Sequence, residues 1–201
     1  NISDATIISK ACKSFDIPII YISSYEVYGD TQEIPYIETD LSSPINNLGV
    51  SQKKVENIFS SNNIKYFILR SSWVFGTDSC YIKQIIANAK TPMIFCNSKI
   101  VNPTSIHYLF KVINEISKTS KYGTYNCSGL DYCSKLEFTE YIFNIIDVPK
   151  KLEVFPEMVK QKLAPSAEFS GLNCNLLEST FKIKNLDWKT SVVQYLTSEF
   201  L

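Results

Sequence analysis

The sequence predicts an α/β protein in which helices flank a parallel sheet and a smaller, helix-rich C-terminal lobe follows. Two observations carry this. In the first half, segments with apolar residues at helical spacing alternate with short continuous apolar runs, the order that builds parallel sheets. The second half holds mainly amphipathic helical stripes.

Ser3 to Phe15 places Ala5, Ile7, Ile8 and Ala11 near helical spacing, and the apolar run Ile17 to Ser23 has the length of a buried strand. Residues Ser24 to Asn47 are rich in Ser, Pro, Asp and Asn without a sustained period. They predict a long loop, and loops of this length in compact domains usually carry function. A helix over about Leu48 to Ser60 and a strand over Tyr66 to Leu69, ending at Arg70, come next. A helix around Tyr81 to Ala89 and a short strand at Met93 to Phe95 close this part. Beyond it, Thr104 to Ile116 carries Ile106, Leu109, Phe110, Ile113 and Ile116 on one helical face. Ser134 and Glu137 have the spacing of a capping box ahead of an apolar stripe formed by Phe138, Tyr141, Ile142 and Ile145. The last helix is expected from about Trp188 to Phe200. A boundary near Phe95 to Asn97 then divides residues 1–96, which build the sheet, from residues 97–201, the smaller lobe.

Lys plus Arg number 20 and Asp plus Glu number 20, so no global field draws the chain to nucleic acid or anionic lipid. Arg70 is the only arginine, and so the only side chain able to grip a phosphate with a planar fork. Cys12, Cys80, Cys96, Cys127, Cys133 and Cys174 form no C-x-x-C pair and no zinc-ligand spacing, which predicts free thiols rather than a metal site. No apolar run approaches the roughly 20 residues that span a bilayer, and no signal peptide is present, so a cytoplasmic protein is expected. The chain opens at Asn1 directly in a helical pattern, which suggests N-terminal truncation or processing.

The informative stretch runs from Ile19 to Asn57. A strand ends in Ser23-Ser24, Pro35-Tyr36-Ile37-Glu38-Thr39-Asp40 follows, and Pro44 leads to Leu48-Gly49-Val50-Ser51-Gln52 with Glu56 one turn on. Arg70-Ser71-Ser72-Trp73-Val74-Phe75-Gly76 and Asn102-Pro103-Thr104 continue the pattern. These segments resemble the dTDP-4-dehydrorhamnose reductase family of extended short-chain dehydrogenases/reductases. There a Ser/Thr pair ends a strand, P-Y-x-E-x-D follows, P-x-x-x-Y-G-x-S-K opens a helix, and R-T-S-W-V-Y-G and D-Q-x-G-x-P-T come later. The resemblance covers essentially the whole chain and implies part of a Rossmann-like parallel sheet with a remnant of a substrate domain. It also implies NADPH or NADH as cofactor and a 4-keto-sugar nucleotide as substrate, in deoxysugar biosynthesis.

The departures fall on the chemistry. In the family, tyrosine and lysine four residues apart share a helix face. The tyrosine protonates the sugar oxygen, and the lysine charge lowers its pKa and holds the nicotinamide ribose. Here those positions are Leu48 and Gln52, which offer no acidic proton and no charge. Leu48 also shares helical register with Val55 and Phe59, which suits plain packing. No G-x-x-G-x-x-G turn exists to cradle a pyrophosphate. The family's D-Q-x-G becomes Ser98-Lys99-Ile100-Val101, and a late Arg-Pro pair that helps hold the substrate becomes Ser166-Ala167.

By resemblance, Ser24 matches the hydroxyl that orients the substrate carbonyl, and Trp73 an aromatic lining the sugar pocket. Ser23 and Gln52 match positions near the cofactor. Ser24 equally suits a strand-end turn, and Trp73 a core or rim position. Tyr25 and Tyr28 are alternative proton sources, and His107 is expected to face solvent from its helix. The reading is an NAD(P)H-dependent reductase with impaired or no activity. The alternative is a non-catalytic protein that binds a nucleotide, a nucleotide sugar or a partner protein, as the regulatory subunit of methionine adenosyltransferase resembles the same reductases. A homo-oligomer fits either.

Overall fold

The computed structural model describes residues 2–77, 80–91, 93–95, 99–147, 152–154, 165 and 167–200. The first half follows the predicted alternation: α1 (Ile2–Phe15), β1 (Ile19–Ser24), α2 (Asn47–Ser61) and β2 (Tyr66–Ser71). Next come β3 (Val74–Phe75), α3 (Tyr81–Ala87), β4 (Met93–Phe95), β5 (Ile100–Val101), β6 (Thr104–Ser105) and α4 (Ile106–Ile116). The remainder is β7 (Gly123–Cys127), β8 (Cys133–Ser134), α5 (Lys135–Ile145), β9 (Leu152–Val154), α6 (Asn175–Phe181) and α7 (Trp188–Phe200).

The main sheet is parallel with strand order β1-β2-β7, and Ile19 aligns with Tyr66 and Phe67 with Gly123. This is the predicted α/β class. The division at 96/97 does not follow the sheet, because the chain returns to it at β7. The sequence Gly123-Thr-Tyr-Asn-Cys127 has too few apolar residues to announce a strand. It is held because parallel strands need a helical crossover, which α4 supplies. Six two-residue or three-residue strands pair elsewhere among the described residues: β3 with β6, β4 with β9 and β5 with β8, the last antiparallel.

Two cores result. Phe67, Leu69, Leu109, Val112, Ile116 and Tyr125 fill the space between the sheet and α4. Phe75, Ile82, Ile85, Phe138, Ile142 and Tyr195 fill the space among α3, α5 and α7. The segment Ser72 to Val74 crosses from one to the other.

Local signals place the helix ends well. Ser134 and Glu137 form both halves of the capping box at α5, and α7 has its expected bounds. Three expectations about burial need correction. Ile7 and Ile8 are 67% and 44% exposed, since α1 packs on α2 through Ala5 and Ser9. β1 is not a buried strand: among the described residues it pairs on one side only, with β2, and only Ser23 in it is buried. Phe110 is 72% exposed, and Tyr108 and Val112 take the inner face of α4.

Candidate functional site

The loop between β1 and α2 is held by a buried polar network that begins at Arg70. Its Nε and Nη2 donate to the two carboxylate oxygens of Glu56 at 3.0 and 2.8 Å, and its Nη1 donates to the Tyr28 hydroxyl at 2.8 Å and the Glu38 carbonyl at 3.1 Å. Ser23 donates to the same Glu56 at 2.7 Å, and Tyr28 donates to Asn126 Oδ1 at 2.8 Å. Two of the Arg70 nitrogens thus tie α2 to the sheet through Glu56 and the third ties the loop to it through Tyr28 and Glu38, which is the pairing a buried charge needs to be tolerated. The Pro-Tyr-x-Glu-x-Asp segment completes the staple. Tyr36 stacks on Tyr28, Glu38 accepts the Asn126 N–H at 2.8 Å, and Asp40 accepts the Ile37 N–H at 2.8 Å. Burial pushes the Tyr28 pKa up to about 12 against the lowering pull of Arg70. Tyr28 is therefore a structural residue, fully buried, and not a proton source for an open site.

The side of this loop that remains open forms a cleft. Ser24 accepts the Glu26 N–H at 3.1 Å and so caps a single 3-10 turn, Tyr25–Val27, that brings Tyr25 and Glu26 to the lip. Asn46 caps α2 by accepting the Gly49 N–H at 2.8 Å, and its amide donates to Glu26 at 2.6 Å and to the Pro165 carbonyl at 3.0 Å. Gly49 lets α2 lie against the turn: a Cβ there would fall 2.2 Å from the Glu26 carbonyl oxygen.

The resulting cleft, about 690 Å³, is lined by Tyr25, Asn46, Leu48, Trp73, Lys99 and Lys135 among others. Trp73 is half-buried, with its ring 4.9 Å from both Tyr81 and Phe138. Leu48 is 57% exposed at the cleft, so it does not pack with the buried Val55 and Phe59 as its register suggested. The reason is rotational: those two side chains turn toward α1 and β1, while Leu48 sits in the first turn of α2, where that helix meets the loop.

One helical turn along, Gln52 Oε1 is buried without a hydrogen-bond partner among the described residues. Burial, then the neighbouring Glu26 charge and hydrogen bond, raises the Tyr25 pKa above its ordinary value. That is the opposite of what a catalytic tyrosine needs. His107 faces solvent, with its backbone N–H capped by Ser105 at 3.2 Å.

Comparison with known proteins gives the site its context. The family described as the RmlD substrate binding domain matches residues 1–200. This chain belongs to that family. Among relatives of the RmlD family, the dTDP-4-dehydrorhamnose reductase of Sinorhizobium fredii is 26% identical over 92% of this chain and 67% of its own length. The crystal structure of dTDP-4-dehydrorhamnose reductase from Bacillus anthracis in complex with NADP superposes with a TM-score of 0.91, at 25% identity, over 96% of this chain and 70% of that one. UDP-glucuronic acid 4-epimerase of Bacillus cereus, solved with UDP-glucuronic acid and NAD, shares the fold at a TM-score of 0.82 and 17% identity, covering 99% of this chain and 68% of that one.

Measured against the RmlD-family pattern, the structure brings Leu48, Trp73 and Tyr25 to one cleft, with Ser24 fixing the turn beneath. Ser23 lies apart, buried against Glu56. At the positions that the resemblance places near the cofactor, Gln52 offers one amide oxygen unpartnered among the described residues and Leu48 offers hydrocarbon. Ser98 and Ser166 lie outside the described residues, while Ala167 is buried in the cleft wall. The sequence reading missed Asn46 and Lys135. The Asn-x-x-Gly spacing ahead of a helix is a detectable cap signal for the first; nothing local marks the second.

Proposed function

We propose that this chain binds a nucleotide sugar in the Trp73 cleft, and that as given it is impaired in the reductase chemistry of its relatives. The observation that carries this is Leu48, exposed to the cleft at the position of the family's tyrosine, with Gln52 one turn along at the position of the lysine. Reduction of a ketone to an alcohol adds hydride to carbon and a proton to oxygen. A methyl-branched side chain supplies none, and losing a positioned general acid costs about 10²–10⁴ in rate. Tyr25 is an alternative phenol in the cleft, and its raised pKa makes it a weaker acid than free tyrosine.

Binding is supported separately. An aromatic wall, two cations and a capped turn suit a sugar and its charged tail, and none of these depends on Leu48. A non-catalytic, regulatory-subunit-like protein is the second reading, favoured by the same Leu48 and Gln52.

Calorimetric titration with dTDP- and UDP-sugars and with NADPH, followed by an NADPH oxidation assay with a 4-keto-sugar nucleotide, tests both. We expect sugar-nucleotide binding and turnover near background. Turnover at ordinary enzyme rates, about 1–10³ per second, would overturn the impaired reading, and failure to bind any sugar nucleotide would overturn the binding reading.

A further inference from the structure

Leucine at position 48 leaves the cleft short of a proton donor, but not of a proton acceptor. Glu26 is the one carboxylate among the described lining residues, and its place is fixed. Its backbone N–H donates to Ser24 Oγ at 3.1 Å, its carbonyl lies against Gly49 of α2, and Asn46 Nδ2 donates to its Oε2 at 2.6 Å. The Tyr25 phenol donates to the same carboxylate. An ionised carboxylate has about four lone-pair sites, so two donors orient this one and leave it able to take a proton.

A cation stands in the same cleft. The Lys135 ammonium lies over the Trp73 and Tyr81 rings at 5.3 and 5.6 Å, and no ion pair to it occurs among the described residues. Base and cation thus line one cavity without ion-pair contact, which leaves room between them for a polar group of a ligand.

We propose that Glu26 is a general base of the Trp73 cleft, removing a proton from the carbon beside the keto group of a bound 4-keto-sugar nucleotide, an enolisation that needs no nicotinamide. This rests on the nucleotide-sugar reading above and adds to it a reaction that the cleft can carry out. The step balances without an oxidant. The C–H electron pair becomes the C=C bond of an enolate, the carbonyl π pair moves onto oxygen as negative charge, and the proton goes to the Glu26 carboxylate. The Lys135 ammonium supplies positive charge for that oxygen. Return of the proton, from Glu26 or from water that has exchanged with it, regenerates the ketone with its hydrogen replaced or its carbon inverted. The reaction asks nothing of Leu48 or Gln52, because no hydride is delivered and the product is again a ketone.

The test is incubation of the full chain with a dTDP-4-keto-sugar in D2O, without nicotinamide, with deuterium at the carbons beside the ketone followed by NMR and the affinity for the same ligand measured by calorimetry. We expect exchange faster than in buffer alone, and a loss of about 10²–10⁴-fold in Glu26→Gln, whose amide oxygen still accepts from Asn46 but takes no proton. Glu26→Asp, with the carboxylate on a shorter stem, should retain part of the exchange, and Lys135→Met should slow it with Glu26 still in place. Unfolding midpoints check that each variant is folded. Binding without exchange above buffer, or exchange that Glu26→Gln leaves unchanged, would overturn the general base and leave the nucleotide-sugar reading standing. Affinity and exchange lost in equal measure in Glu26→Gln would assign Glu26 to holding the cleft together, and would likewise overturn it. No binding by wild type would overturn both.

Discussion

Arg70 shows how one residue type changes meaning with its neighbours. As the only arginine in the chain it suggested a phosphate grip, yet every contact it makes is internal, and the Glu56 carboxylate beneath it is 2% exposed. A buried pair of this kind contributes little net stability when intact but is costly to break, because the survivor keeps its charge without its partner. Glu56→Ala is therefore expected to destabilise by about 3–5 kcal/mol in urea unfolding, and a double change of Glu56→Leu with Arg70→Met to recover much of it. A loss below about 1 kcal/mol would mean that the loop is held by something else. Leu48 makes the complementary point: its chemical character was plain from the sequence, but its exposure at the cleft, in place of the packing its register suggested, was not.

At the level of elements, the meeting of α2 with the turn Tyr25–Val27 governs the shape of the cleft. Helix and turn approach so closely that Gly49 has the Glu26 carbonyl where a side chain would be. Gly49→Ala adds a methyl group to a helix, which in isolation favours it by about 1 kcal/mol, but here the clash is with backbone. The steric effect should win: we expect a net destabilisation of about 1–3 kcal/mol and a weakened Asn46 cap, measured as a lower unfolding midpoint together with poorer sugar-nucleotide affinity. A stabilised variant would show that α2 can retreat without cost. The capping box at α5 has a parallel role, since it fixes the first turn of the helix that carries Lys135.

For the whole molecule, cohesion is uneven. β2 is paired on both sides and buried from Phe67 to Ser71, whereas β1 is paired on one side and α1 touches the remainder through a narrow face of small residues. Opening free energies follow such gradients. Hydrogen exchange should be slowest in β2, and fastest among the strands of this sheet in the outward-facing amides of β1; equal protection in the two would refute the gradient. The sequence by itself determined the α/β alternation, the ends of α5 and α7 and the family pattern. Each of these is written in local spacing, in a capping motif or in residue type. It did not determine that residues 123–127 rejoin the sheet, that the apolar face of α1 points outward, that Arg70 is sealed beneath the loop, or that Lys99 and Lys135 share a cleft. Those depend on which distant segments lie side by side. Periodicity says that a face is apolar but not what covers it, and two lysines far apart in the chain become neighbours only when an antiparallel pair of short strands puts them at one end of a ladder.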